Sequence, residues 1–151
     1  MMRILFVCTG NTCRSSMAEG IFRKMLEEAG EKTKGVQVFS AGTSAIQGQS
    51  AAKNAIQVMD EKSIDIKKHT AKVVTKELID QVDLILTMTN NHKRQLLQIV
   101  PEAKEKIDTL KEYIGLFGDI IDPFGQSVDV YRACAKEMEE NLKILVEKVI
   151  E

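Results

Sequence analysis

The sequence predicts an open, doubly wound α/β sheet of four parallel strands in flavodoxin-like order, with helices on both faces. Three observations predict it. Short apolar runs have the composition of strands buried on both sides. Apolar residues at helical spacing fill the stretches between them. The two patterns alternate along all 151 residues, with no Pro/Ser-rich linker, internal repeat or low-complexity tract, which implies right-handed crossovers.

Arg3-Ile4-Leu5-Phe6-Val7-Cys8 is the first strand, and the polar stretch from Thr9 to Ser16 reads as a loop. Met17, Ile21, Phe22, Met25 and Ala29 then fall at helical spacing, with Gly30 as the stop signal. Val36 to Phe39 reads as a second strand, Ala51 to Lys62 as a helix, and Thr75 to Gln81 as a short helix. Asp83-Leu84-Ile85-Leu86-Thr87-Met88 is a third buried strand. Asn90 or Asn91 is the expected cap of a helix running towards Pro101, and Lys106 to Leu110 a short fourth strand. A Gly-rich loop from Gly115 to Gln126 precedes a last helix, in which Val128, Tyr131, Ala135, Met138, Leu142, Leu145 and Val149 share one face. In such a sheet a ligand site lies beyond the strand C-termini at the switch point, where Cys8 ends the first strand.

Composition bounds the function. Hydrophobic residues make up 44% and charged residues 28%, as in a compact globular protein large enough for one core. Lys plus Arg number 21 against 22 Asp plus Glu, so no net field holds a polyanion and nucleic acid is not an expected partner. No apolar run reaches the ~18 residues of a membrane span, and no secretory signal is visible. The expectation is therefore a soluble, cytoplasmic, single-domain protein (1–151) without a membrane partner, and the helix faces fit a monomer. Cys8, Cys13 and Cys134 are too few for a disulfide framework, and no grouping of Cys and His suggests a metal.

The segment Cys8-Thr9-Gly10-Asn11-Thr12-Cys13-Arg14-Ser15 carries the chemistry. A Cys, five residues and an Arg form a weak motif alone. Here the loop bears a glycine, follows a buried strand and opens a helix. Its backbone N–H groups can therefore converge on one anion, helped by the helix N-terminus. The same cradle favours a thiolate, and Cys8 is expected to titrate well below the ~8.5 of a free thiol. Arg14 offers a planar fork that grips two phosphoryl oxygens and follows them into the equatorial plane of the transition state. Ser15 can donate to the sulfur, cap the helix, or do both. A proton donor for the leaving group is also required. Asp122, in the turn Asp122-Pro123-Phe124-Gly125, is the best candidate, with Phe124 as a wall beside the substrate; Asp119 and Asp129 are nearby rivals.

These residues resemble the low-molecular-weight protein tyrosine phosphatase family. Ser40-Ala41-Gly42-Thr43 and Asp83-Leu84-Ile85-Leu86-Thr87-Met88 also fit its pattern, and the match spans essentially the whole chain. The resemblance implies a metal- and cofactor-free phosphatase acting on phosphorylated proteins. Cys8 would be the nucleophile, Arg14 the phosphate clamp and Asp122 the general acid. It implies further that Asn11 holds the loop in shape and that Ser40 and His69 support Asn11. Two departures point to the bacterial protein-arginine phosphatase branch. Thr12 stands where a bulky aliphatic residue is usual, and Phe124-Gly125 follow Asp-Pro instead of two aromatics. A threonine leaves room for a planar guanidinium and offers it a hydroxyl. The leaving guanidine is strongly basic (free arginine ~12.5 to 13.8), so its expulsion demands a proton on nitrogen. A third departure, Ser16 in place of the family's proline, bears on loop stiffness.

The favoured function is protein-arginine phosphatase, with a phosphotyrosine phosphatase as its nearest rival. A thiol-dependent arsenate reductase would need further cysteines, yet none occurs between 14 and 133. A cysteine phosphocarrier would need neither clamp nor acid. Cys13 either packs under the loop or traps an oxidised Cys8 as a disulfide, giving reversible oxidative inactivation. Cys134 falls beside the apolar stripe of the last helix and reads as core.

Overall fold

The structure, a computed structural model, describes residues 2–150. Its centre is β1 (Met2–Cys8), in which Ile4, Leu5, Phe6 and Val7 are wholly buried. The run is apolar at every position because both faces are covered. On one side β1 pairs in parallel with β2 (Val36–Gly42), from Met2 opposite Val36 to Cys8 opposite Gly42. On the other it pairs in parallel with β3 (Leu84–Thr87), which in turn holds the short β4 (Ile107–Thr109). The order β2-β1-β3-β4 is the flavodoxin-like one expected. The chain leaves β1 towards β2 and later recrosses to β3, so the switch point lies above Cys8.

Alternate residues of each strand feed two cores. Ile4, Phe6, Leu84 and Leu86 join the apolar faces of α1 (Arg14–Ala29), α2 (Lys53–Glu61) and α6 (Val128–Ile150). Leu5, Val7 and Ile85 pack with Ile79 of α3 (Lys76–Gln81), Leu96 of α4 (Asn90–Ile99), and Val100 beyond it. In the first core Phe6 and Phe22 meet edge to face, centroids 5.6 Å apart, a pair that contributes ~0.5–1.5 kcal/mol beyond area burial. A single turn, α5 (Leu110–Tyr113), follows β4. Among the described residues no helix is long and apolar enough to cross a membrane.

Several boundaries differ from the sequence expectation by a residue or more, and three of them turn on polar or small residues. The first helix starts at Arg14, not Met17, because the polar atoms of Arg14, Ser15 and Ser16 are satisfied inside the protein. β2 continues past Phe39 to Gly42, since Ser40, Ala41 and Gly42 face the end of β1. The cap of α4 is Thr89, not Asn90 or Asn91: its hydroxyl accepts the His92 N–H at 3.1 Å.

Candidate active site

The segment 8–15 folds back as a loop over the C-terminal end of β1. Asn11 sits in the left-handed region at φ 58°, a conformation Asn tolerates better than most residues. Its backbone N–H then points at Cys8 Sγ, 3.3 Å away. The Asn11 side chain fixes this shape from both ends: Nδ2 donates to Ser15 Oγ at 2.8 Å, and Oδ1 accepts the Lys72 N–H at 3.0 Å. Ser15 Oγ lies 2.9 Å from Cys8 Sγ. Once Cys8 is ionised its sulfur has no hydrogen to give, so in this pair Ser15 is the donor, while its oxygen accepts from the Asn11 amide. An ionised Cys8 therefore meets two donors within its own loop.

The loop is also pinned from β2. The Thr43 and Ser44 N–H groups donate to the Cys8 and Thr9 carbonyls, both at 2.9 Å. This close approach requires Gly42, since a Cβ there would overlap the Thr9 carbonyl oxygen and press on Asn11 N at 3.0 Å.

His69 meets the loop at the Asn11 backbone, where its Nε2 donates to the carbonyl at 2.7 Å. No hydrogen bond joins Ser40 to Asn11. Its hydroxyl donates to Glu19 Oε1, and that carboxylate lies 3.9 Å from His69 Nδ1. Support therefore runs from Ser40 through Glu19 and His69 to the Asn11 carbonyl. Glu19 was not legible in the sequence, where it is one of several acidic residues on a charged helix.

Arg14 is buried at the start of α1 and reaches the acid segment. Nη1 donates to the Ile120 carbonyl at 2.9 Å, and Nη2 lies 3.5 Å from Asp122 Oδ2. The side chains differ in access, 5% exposed for Arg14 and 48% for Asp122, so the carboxylate faces solvent while the guanidinium stays within. Of the three candidate acids Asp122 is the one beside Arg14. Asp119 accepts the Asn90 N–H at 2.9 Å, and Asp129 pairs with Arg132 at 2.6 Å. Asp122 Oδ1 also accepts the Phe124 N–H at 3.0 Å, closing the turn that Pro123 and Gly125 shape. Phe124 is 68% exposed, a free aromatic face two residues from the carboxylate.

Thr12 is buried, with Oγ1 3.8 Å from Cys13 Sγ. Cys13 Sγ meets the Tyr131 hydroxyl at 3.2 Å, and burial pushes its thiol pKa up. All three cysteines are free. Burial also pushes Cys134 up to about 12, in keeping with a core residue. Among the described residues no three His, Cys, Asp or Glu side chains are grouped as metal ligands.

One buried polar residue at the site was not legible in the sequence. His92 joins the loop to α4, its Nε2 2.8 Å from Thr9 Oγ1 and its Nδ1 2.9 Å from Thr89 Oγ1. A lone His in the polar sequence Asn90-Asn91-His92-Lys93-Arg94 carries no signal of this. Burial, then the charge of Arg14, lowers its pKa to about 4, against opposing pulls from Asp119 and Asp122. The unfolded chain therefore binds a proton near pH 6.5 that the folded chain refuses until about 4. Stability held above pH 6.5 is withdrawn as pH falls through this window, by up to about 3 kcal/mol. Denaturant midpoints measured from pH 7 to pH 4 are expected to show this loss, and His92→Gln should remove that component. An equal slope in both proteins would contradict it.

Residues 3–151 match the family model described as "Low molecular weight phosphotyrosine protein phosphatase". The chain is 41% identical to a protein-arginine-phosphatase of Bacillus subtilis, covering 98% of this chain and 97% of that one. It is 42% identical to the low molecular weight protein-tyrosine-phosphatase PtpB of Staphylococcus haemolyticus, over 91% and 92% respectively. The solved structure of the YwlE arginine phosphatase from Geobacillus stearothermophilus superposes with a TM-score of 0.91 at 43% identity, covering 98% of this chain and 92% of that one.

Proposed function

The chain belongs to the low-molecular-weight phosphotyrosine protein phosphatase family, and on that premise we propose that this cysteine-dependent protein phosphatase hydrolyses phosphoarginine, cleaving its P–N bond through a phosphocysteine. Its 151 residues act as a single phosphatase domain. The observation that carries the preference is the pairing of a compact loop residue, Thr12, with a half-exposed carboxylate, Asp122, beside the clamp. A guanidinium is planar and rich in N–H donors, so it needs width at the loop and a carboxyl oxygen that accepts from it while the other oxygen carries the proton.

In the first step the Cys8 thiolate attacks phosphorus in line with the leaving nitrogen. Loop amides and Arg14 hold the equatorial oxygens. As the P–N bond breaks, Asp122 delivers its proton to that nitrogen, so that the arginine side chain departs as its guanidinium cation. In the second step the Asp122 carboxylate takes a proton from water, whose oxygen forms the new P–O bond while the P–S bond breaks. The Ser15 hydroxyl, aimed at the sulfur, stabilises the returning thiolate. On this reading Thr9, Gly10, Asn11, Thr12, Cys13 and Ser15 form the phosphate cradle and Phe124 flanks the substrate. On the same reading Cys13 captures an oxidised Cys8 as a disulfide, giving reversible inactivation. Ser16 replaces the family's proline without loss of the helix start, its hydroxyl donating to the Cys13 carbonyl at 3.0 Å.

Phosphotyrosine is the second reading, favoured by the exposed Phe124 ring and by the name of the Staphylococcus relative. Parallel assays on phosphoarginine and phosphotyrosine forms of one peptide separate the two. The expected result is a higher kcat/KM for phosphoarginine. Thr12→Ile is expected to reverse the order by crowding the guanidinium, a change of about 10-fold or more in the ratio. An unchanged ratio would remove Thr12 as the selector.

A further inference from the structure

We propose that His92 is a positioning residue that keeps the phosphate loop and the acid segment in register by tying the Thr9 hydroxyl to the turn between β3 and α4. The proposal rests on the phosphatase reading of Cys8, Arg14 and Asp122.

That turn touches both halves of the chemistry. On the nucleophile's side the Met88 N–H donates to the Val7 carbonyl at 2.9 Å, and His92 Nε2 meets Thr9 Oγ1 at 2.8 Å. Both neighbours of Cys8 are thus held by one turn. On the acid's side the Ile120 N–H donates to the Met88 carbonyl at 2.9 Å, and the Asn90 N–H to Asp119 at 2.9 Å. These are two of the three residues preceding Asp122. Arg14 closes the circuit from below through the Ile120 carbonyl.

Within this frame the links to Val7 and Ile120 are backbone bonds that hold the turn to the strand core. The Thr9 link depends on a side chain. Thr9 is itself exposed, so without the imidazole its hydroxyl has no protein partner to fix it. The ring also braces itself. Nδ1 sits 2.9 Å from Thr89 Oγ1, which accepts the His92 backbone N–H as well. Both ring nitrogens are in use, and the buried imidazole presents one fixed edge to Thr9. The consequence is that the distance between sulfur and acid is set by a rigid side chain belonging to neither loop. Displacement of a catalytic group by about 1 Å can cost on the order of 10²-fold in rate.

The two ring nitrogens are separable by substitution. Asn places its amide near the Nδ1 position and can keep the Thr89 contact, whereas Gln reaches the Nε2 position and can keep the Thr9 contact. Full-length His92→Asn, His92→Gln and wild type are to be compared on aryl phosphates from p-nitrophenyl to phenyl phosphate, each with and without Asp122→Asn. His92→Asn is expected to lose about 10-fold more kcat on phenyl than on p-nitrophenyl phosphate, because the poorer leaving group depends on the acid. His92→Gln should stay within about 3-fold of wild type, and His92→Asn should add little in the Asp122→Asn background. Equal losses on every leaving group, or full additivity with Asp122→Asn, would overturn the proposal. Should His92→Asn not fold, Thr9→Val is expected to reproduce its leaving-group dependence, and an unaltered dependence would overturn it equally. A wild type whose rates ignore both leaving group and Asp122→Asn would instead bring down the general-acid reading of Asp122 and this proposal with it.

Discussion

Replacing Cys8 with serine is expected to lower phosphatase turnover by about 10⁴-fold or more while leaving the protein folded. The chemistry needs an ionised nucleophile at the base of the loop, and a serine hydroxyl at neutral pH is neither ionised nor provided with a base. The carboxylate nearest the loop's arginine, Asp122, is assigned to the leaving group. Folding has no such dependence on sulfur. Cys8 is buried, and its polar neighbours are Ser15 Oγ at 2.9 Å and the Asn11 N–H at 3.3 Å, both of which a serine oxygen can satisfy. The stability change is therefore expected to be within about 1 kcal/mol. Initial rates on an aryl phosphate, read beside thermal unfolding by circular dichroism, test both halves. A serine variant retaining a hundredth of the wild-type rate would mean that the sulfur is not the nucleophile.

The second large effect is expected at Asp122. Asp122→Asn preserves size and the hydrogen bond that closes the turn onto the Phe124 N–H, but the amide has no proton to give. Loss should scale with leaving-group basicity: slight for p-nitrophenyl phosphate, and about 10²–10⁴-fold for phosphoarginine, whose nitrogen cannot leave unprotonated. The phosphocysteine formed from an activated substrate should also persist, because the same carboxylate is the base for water. Burst kinetics with p-nitrophenyl phosphate would reveal the persistence. Identical fractional losses on activated and unactivated substrates would move the acid elsewhere, first to Asp119.

The parts of the fold legible in the sequence were those in which burial and chemical type agree. Ile4 to Val7 and Leu84 to Leu86 are apolar because the sheet is covered on both faces, and no other element suits such short runs. The Cys8-to-Arg14 spacing, weak alone, took its meaning from lying between a buried strand and a helix, and the structure has β1 ending at Cys8 and α1 beginning at Arg14. Misreadings gathered where burial and type disagree. Arg14, Ser15 and Ser16 look like solvent-facing loop, yet they are buried in the first turn of α1 with their polar atoms paired. Ser40 was read as a support of Asn11, but its partner Glu19, 21 residues away in sequence, was not legible. His92 reaches Thr9 across 83 residues. Pairings of that range leave no local trace, because periodicity and spacing report only on neighbours along the chain.

Cys8 ends the innermost strand, whereas Asp122 belongs to a segment in which Phe117 is 90% and Ile121 78% exposed, with Gly115, Gly118 and Gly125 all at positive φ. Amide exchange at Leu5 to Val7 therefore demands cooperative opening of the entire molecule, while the exposed residues on either side of the buried Ile120 can open at far lower cost. Warming would thus disarm proton delivery before it disturbs the sulfur, leaving an enzyme still able to accept phosphate from activated esters but no longer from a basic amine.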